Sequence, residues 1–287
     1  MTPEQRAMYR SQIPFEEVRA KAEAIRSPYR VVGILGGMGP AATVDLFRET
    51  VEASAEKIIV AKNLQNITDQ DHIEIYIANT PQVPDRTPFV LYDMGLEHDP
   101  AEDPFPYLVR GVNKLAKLDV KEFGIPCNTA HYFVPELQRY INDMGYDMKI
   151  INMIEETAGE VAKYFNKGAK VGVLATTGTL RSELYHAALS ARGFEVLTPT
   201  IEHQDDWVMK AIYGKDTGIK ATKDLSYAIP RKQLTDAANE LHENGADVVL
   251  TACTEIPLAL KQSDVSVKLI NPTNVLGNRI IERAIAA

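Results

Sequence analysis

VGILGGMGP, residues 32–40, returns in altered form as VGVLATTGT at residues 171–179. Each is a short apolar, β-branched run that feeds a glycine-containing turn and then a helical pattern. Two further pairs keep the same order: GIPCNT (124–129) matches LTACTE (250–255), and KIIN (149–152) matches KLIN (268–271). Matched landmarks in one order mean that the second half repeats the first. Between them, short strands such as IEIYIAN (73–79) alternate with helical stretches after Pro40 and around residues 106–117. That alternation is the signature of parallel sheets built from strand–helix units.

Open parallel sheets bind ligands outside the carboxyl ends of their strands. Both glycine turns and both cysteines fall there. The expected fold class is α/β, with two similar parallel-sheet lobes of Rossmann- or flavodoxin-like type related by pseudo-twofold symmetry, and with the active site between them. Residues 1–30 read as an N-terminal helical extension, 31–150 as lobe 1 and 151–270 as lobe 2. By symmetry, residues 271–287 return to lobe 1, since the chain after Asn152 leads into lobe 2. The extension carries Ile13, Phe15, Val18, Ala22 and Ile25 as an apolar stripe and stops at Ser27-Pro28. It is expected to pack on the body or on another subunit, with a homodimer as the assembly.

Composition narrows the partners. A formal charge of −8, with 45% hydrophobic and 24% charged residues and no Lys/Arg-rich stripe, argues for a small-molecule ligand and against nucleic acid or an anionic membrane. No apolar run reaches the roughly 18–20 residues of a membrane span, and the charged start lacks a signal-peptide core. A cytoplasmic location is expected. The two cysteines of so long a chain read as reduced thiols rather than a disulfide framework.

Cys127 and Cys253 each end a strand and precede polar residues, Asn128-Thr129 and Thr254-Glu255. At a helix N-terminus, free amides and the dipole lower a thiol's pKa. Either cysteine alone reads equally well as a small buried hydrophobe, and the symmetric placement tips the balance toward chemistry. Cys127, His131 and Cys253 could begin a metal site, but the spacing lacks a fourth ligand. A cysteine hydrolase with His131 as base would leave the second cysteine idle, so His131 reads as a helix residue supporting the site.

Gly37-Met38-Gly39-Pro40-Ala41-Ala42 nominally fits a dinucleotide fingerprint, yet the next strand ends at Asn79, about twice too far for the ribose-binding acid. The amides around Met38 suit a substrate carboxylate instead. In NTPQVPDRT (79–87), Arg86 has the planar fork for a bidentate carboxylate, with a surface ion pair as the plainer reading. Thr177 and Thr179 offer hydroxyls or simple helix caps. Lys220 is, from its surroundings alone, a solvated lysine.

Taken together, GILGGMGP, NTPQVPDRT, IPCNTAH, LATTGTLRSELY and ACTEIPL resemble the aspartate/glutamate racemase family, most of all its aspartate racemases, from about Val31 to the C-terminus. The resemblance implies no pyridoxal phosphate, no other cofactor and no metal, with Cys127 and Cys253 as the two catalytic bases. It implies that Arg86 binds the side-chain carboxylate, and that Asn128, Thr129 and Thr254 hold the α-carboxylate and amine region. Asn79 and Thr177 belong to matching motifs as pocket residues, and Lys220 matches a lysine that assists carboxylate binding. This chain departs from the family pattern around residues 214–229 and in the acidic, proline-containing stretch 97–106, which reads as a lid or as a longer loop. The implied reaction is 1,1-proton transfer interconverting L- and D-aspartate, or glutamate. The alternatives are an isomerase of the maleate isomerase or hydantoin racemase type, and a non-catalytic two-lobed amino-acid-binding protein.

Overall fold

The computed structural model describes residues 2–12, 14–25, 27–221 and 226–286. Lobe 1 holds β1 (Val32–Gly36), β2 (Ile75–Asn79), β3 (Glu122–Gly124) and β4 (Lys149–Ile151), in the order β2-β1-β3-β4. Lobe 2 holds β5 (Lys170–Leu174), β6 (Glu195–Leu197), β7 (Val248–Thr251) and β8 (Lys268–Ile270), in the matching order β6-β5-β7-β8. Every pairing is parallel. The repeat seen in the sequence is thus a repeat of sheet topology.

The matched glycines of the two VG pairs have a common physical reason. A Cβ on Gly33 would stand 3.3 Å from Leu115 Cδ2, and one on Gly172 3.0 Å from Leu241 Cδ1. In each lobe a central strand lets a helix, Phe105–Ala116 or Ala228–Glu243, press close against the sheet.

Matched asparagines start the helices that cross between lobes. Asn152 Oδ1 accepts from the amides of Ile154 (2.9 Å) and Glu155 (3.2 Å), and Asn271 Oδ1 accepts from that of Thr273 (2.9 Å). Such caps satisfy donors that the first helical turn leaves unpaired. Helix Met153–Tyr164 then buries Ile154, Ala158 and Val161 with Val171, Val173 and Leu250 of lobe 2. Helix Pro272–Ile285 buries Leu276, Ile280, Ile281 and Ala284 with Val32, Ile34 and Leu46 of lobe 1. Arg279 joins the two crossing helices, reaching Glu156 at 3.0 Å and Glu160 at 2.7 Å.

Two N-terminal helices, Pro3–Gln12 and Phe15–Ala24, precede this core, and the second buries none of its described residues. Phe15 is 89% exposed, Val18 and Ile25 are exposed as well, and Ile13 lies outside the described residues. No described helix is long and apolar enough to cross a membrane.

Candidate active site

Cys127 follows Ile125-Pro126 at the end of β3, and Cys253 follows Ala252 at the end of β7. Both are free thiols, 5% and 6% exposed. They line one narrow, nearly closed cleft, to which lobe 1 adds Met38, Arg86, Asn128 and Thr129, and lobe 2 adds Thr176, Tyr213, Lys220, Thr254 and Glu255. The glycine turns show how the lobes meet. A Cβ on Gly39 would lie 3.3 Å from Glu255 Oε1, and one on Gly178 would lie 3.2 Å from Thr129 Cγ2. Gly39 matches Gly178 in the repeat, and Thr129 matches Glu255. Each lobe's turn therefore faces the other lobe's cysteine loop, as a twofold relation requires.

The Cys127 side is fixed by a chain of side chains with few free polar atoms. Asp85 caps the helix Arg86–Asp93 by accepting from the Thr87 amide at 3.0 Å. Arg86, buried, donates from Nη1 to Pro84 O (2.9 Å) and from Nη2 to Met38 O (3.0 Å), while its Nε has no partner. Burial pulls the guanidinium pKa down, but the facing Cys127, Asp85 and Tyr213 outweigh it and raise it, so the cation persists. Asn128 Oδ1 accepts from Tyr185 OH at 2.7 Å, and its buried Nδ2 has no partner. Burial raises the Tyr185 pKa, which keeps that phenol neutral. Thr129 Oγ1 lies 3.0 Å from Thr176 Oγ1 and 2.8 Å from Thr179 Oγ1, a hydroxyl cluster joining the lobes.

His131 is a brace. Its Nε2 accepts from the Met153 amide at 3.0 Å, so its Nδ1 carries the proton and donates to Cys127 O at 2.9 Å. Burial lowers its pKa to about 4. With both ring nitrogens engaged on backbone, it is neither a metal ligand nor the base of a cysteine hydrolase. No group of three or more His, Cys, Asp or Glu among the described residues could hold a metal ion.

The Cys253 side differs. Cys253 Sγ donates to Glu255 Oε2 at 3.1 Å, which also accepts from Thr254 Oγ1 at 3.1 Å, and Glu255 Oε1 accepts from Lys220 Nζ at 2.5 Å. Burial first, then the Glu255 charge, push the Cys253 thiol pKa well up. The lowering expected from a helix N-terminus does not occur here. The helix that follows is only Ile256–Ala259, and the sulfur's neighbour is a carboxylate. Burial pulls Lys220 down, but Glu255 and Cys253 outweigh it and its pKa is raised.

Lys220 and Tyr213 come from a segment that begins with Ile201–His203 and a π-helical turn, Gln204–Met209. Such turns recur at functional sites. Gln204 Nε2 anchors the turn on Ala175 O at 2.9 Å, and the Lys220 amide donates back to Ile212 O at 3.1 Å. Tyr213 OH reaches across to Asp85 Oδ1 at 3.2 Å. Residues 222–225, within the stretch where the chain departs from the family pattern, lie outside the described residues.

Two expected pocket residues are not in the cleft wall. Asn79 is exposed at the end of β2, while the next residue, Thr80, turns inward and donates to Gly36 O at 3.0 Å. Strand alternation sends the pair to opposite faces. At the other turn Thr176 caps the helix Thr177–Arg181 and lines the cleft; Thr177 instead gives its amide to Met209 Sδ and accepts from Gln204. Residues 97–103 are exposed or half-buried, away from the cleft, and Asp103 accepts from the Phe105 amide at 2.8 Å. Of the stretch 97–106, no residue lines the cleft, and its last two residues open the helix Phe105–Ala116. Tyr213, Thr176 and Glu255 complete the wall without having been singled out by the sequence.

A family model for Asp/Glu/Hydantoin racemase matches residues 35–279. The chain belongs to that family. By this membership it is an enzyme of the isomerase class, an amino-acid racemase. The broad specificity amino-acid racemase RacX of Bacillus subtilis (strain 168) is 26% identical over 256 residues, spanning 89% of this chain and 99% of that protein. Among solved structures, Picrophilus torridus aspartate racemase is 26% identical, with a TM-score of 0.68 over 88% of this chain and 93% of that one. Glutamate racemase isoform RacE1 from Bacillus anthracis shares the fold, at 19% identity and a TM-score of 0.54 over 88% of this chain and 80% of that one.

Proposed function

We propose that this racemase interconverts the enantiomers of an acidic amino acid, aspartate ahead of glutamate, through proton transfer between Cα and two thiols. In one direction a Cys127 thiolate takes the α-proton, the C–H electron pair stays on carbon, and the Cys253 thiol delivers its proton to the opposite face. In the other direction the roles exchange. Each turnover leaves one thiolate and one thiol, so atoms and charge balance without a further reactant.

The observation that carries this reading is a pair of buried thiols at repeat-related positions in one cleft, beside donors that lack partners. Arg86 is a buried cation with carbonyls on two nitrogens and Nε open, suited to a side-chain carboxylate. Asn128 Nδ2 suits the α-carboxylate, and the Thr254 hydroxyl can join it on releasing Glu255 Oε2. Acid–base catalysis contributes typically about 10²–10⁴-fold, so preorganised donors and exclusion of water must supply much of the rest. The Picrophilus relative named as an aspartate racemase supports aspartate, and the broad-specificity Bacillus relative makes an amino-acid panel part of the test. Because both thiols must stay reduced, we propose a cytoplasmic setting; the assembly proposed is a homodimer, which sedimentation velocity reads directly.

Reaction in deuterated water tests the two-thiol route. Early product should carry solvent deuterium at Cα while remaining substrate does not, because the donor thiol has exchanged with solvent. Alanine at Cys127 or at Cys253 should abolish racemisation. Full activity of Cys253→Ala, or return of the substrate's own hydrogen to product, would defeat the two-thiol route.

A further inference from the structure

The repeat is nearly faithful at the cysteines and breaks two residues beyond them, where Thr129 stands in lobe 1 and Glu255 in lobe 2. Thr129 spends its hydroxyl on Thr176 and Thr179. Glu255 places one carboxylate oxygen on the Cys253 sulfur and the other on Lys220 Nζ. The two thiols thus have opposite neighbours, a guanidinium facing Cys127 and a carboxylate touching Cys253.

We infer that Glu255 is a positioning residue that holds Cys253 as the proton-donating thiol in the resting enzyme, and that Lys220 limits how strongly it does so. The inference rests on the two-thiol reading above and adds a resting polarity to it. A sulfur that donates to a carboxylate at 3.1 Å would, on ionising, face a negative charge across that contact. The protonated form is favoured. Lys220 works the other way, because its ammonium neutralises the same carboxylate and stabilises a nearby thiolate. A substrate carboxylate drawn to Lys220 would compete with Glu255 for that ammonium.

The other titratable and charged groups facing Cys253 are Tyr213, Tyr185, Cys127 and, farther across the cleft, Arg86. Both phenols are raised, chiefly by burial, and stay neutral across the working range. Glu255 and Lys220 therefore set the polarity.

The test follows each thiol by itself. Iodoacetamide labelling of the full-length protein across pH, read peptide by peptide by mass spectrometry, gives a separate ionisation midpoint for each cysteine without using activity. Glu255→Gln should move the Cys253 midpoint down by about one pH unit or more, roughly tenfold faster labelling at a fixed pH below both midpoints. Lys220→Met should move it up, and Glu255→Asp should restore most of the wild-type profile. In racemisation, Glu255→Gln should change kcat and KM together for each enantiomer and shift the pH optimum.

An unchanged Cys253 midpoint in Glu255→Gln, or the same direction of shift in both variants, overturns the inference and leaves the two-thiol route standing. Should Glu255→Gln fail to fold, Lys220→Met alone decides: an upward shift supports the inference, and no shift overturns it. Failure of the two-thiol route would appear separately, as racemisation by a variant lacking one cysteine.

Discussion

Replacing Arg86 with leucine removes the one described buried guanidinium of the cleft and tests the assignment of an acidic substrate. In the wild type, Met38 O and Pro84 O hold the guanidinium from behind, at 3.0 and 2.9 Å, so its remaining N–H groups are aimed before substrate arrives. Removing one partner of a buried, hydrogen-bonded charge pair costs about 3–5 kcal/mol. At 1.4 kcal/mol per factor of ten, kcat/KM for aspartate should fall roughly 10²–10⁴-fold. Two carbonyls lose donors, about 1–3 kcal/mol each, while a desolvated cation is relieved, so the fold should survive. Arg86→Lys should recover about tenfold at most, since an ammonium is a point charge and cannot present the fork. The assay is chiral chromatography of both directions. Enantiomers have equal free energy, so kcat/KM must be the same from either side, an internal check on each variant. If Arg86→Leu keeps aspartate kcat/KM within about threefold of wild type, the arginine does not bind the substrate side chain.

Ile280→Ala, in the crossing helix buried against Val32 and Ile34, should cost about 2–5 kcal/mol in urea unfolding, and an effect under about 1 kcal/mol would mean the helix is not core. Asn152→Ala and Asn271→Ala should each cost about 1 kcal/mol by loss of a helix cap, measured the same way. His131 is neutral in the fold with its pKa lowered to about 4, below the unfolded value, so its contribution is complete above pH 6.5 or so and is lost as pH falls toward 4. The loss sums to roughly 3 kcal/mol, and His131→Gln should flatten stability across that window; an equally steep profile in the variant would point to other groups.

What the sequence made legible was periodic or local. The pair of similar parallel-sheet lobes followed from the paired motifs, and the matched asparagines are readable as caps because capping acts within three residues. Cys127 and Cys253 were visible because each sits at a strand end in a marked motif, and Arg86 because it lies in the marked loop that follows a strand. What stayed hidden depended on partners distant in the chain or on a single-residue phase. Glu255 lay in plain view beside Cys253, but its meaning comes from Lys220, 35 residues away. Thr176 rather than Thr177, and Thr80 rather than Asn79, turn inward because a cap and a strand's alternation fix the phase, which motif matching leaves free. Tyr213 reaches the cleft through a π-helical turn, Gln204–Met209, that no apolar period announces.

The balance between symmetry and asymmetry follows from the reaction. On the proposed two-thiol route, two opposite faces of one carbon need two like groups, and the repeat-related Cys127 and Cys253 are placed to supply them. A rotation that exchanges the faces of Cα also exchanges two of its other substituents, and those are chemically different in an amino acid. Recognition of carboxylate, amine and side chain must therefore break the symmetry that the thiols obey. The structure departs from the twofold at charged positions around the cleft. Arg86 follows β2, whereas the segment after β6, residues 198–209, contains no arginine. Lys220 belongs to lobe 2, and the position matching Thr129 carries Glu255. A variant made more symmetric, Glu255→Thr, should keep both thiols and the fold while losing the grip on Lys220. Its KM for aspartate should change more than its KM for an amino acid lacking the second carboxylate, read on the same chiral assay. Equal effects on the two substrates would mean that Glu255 acts on the sulfur alone.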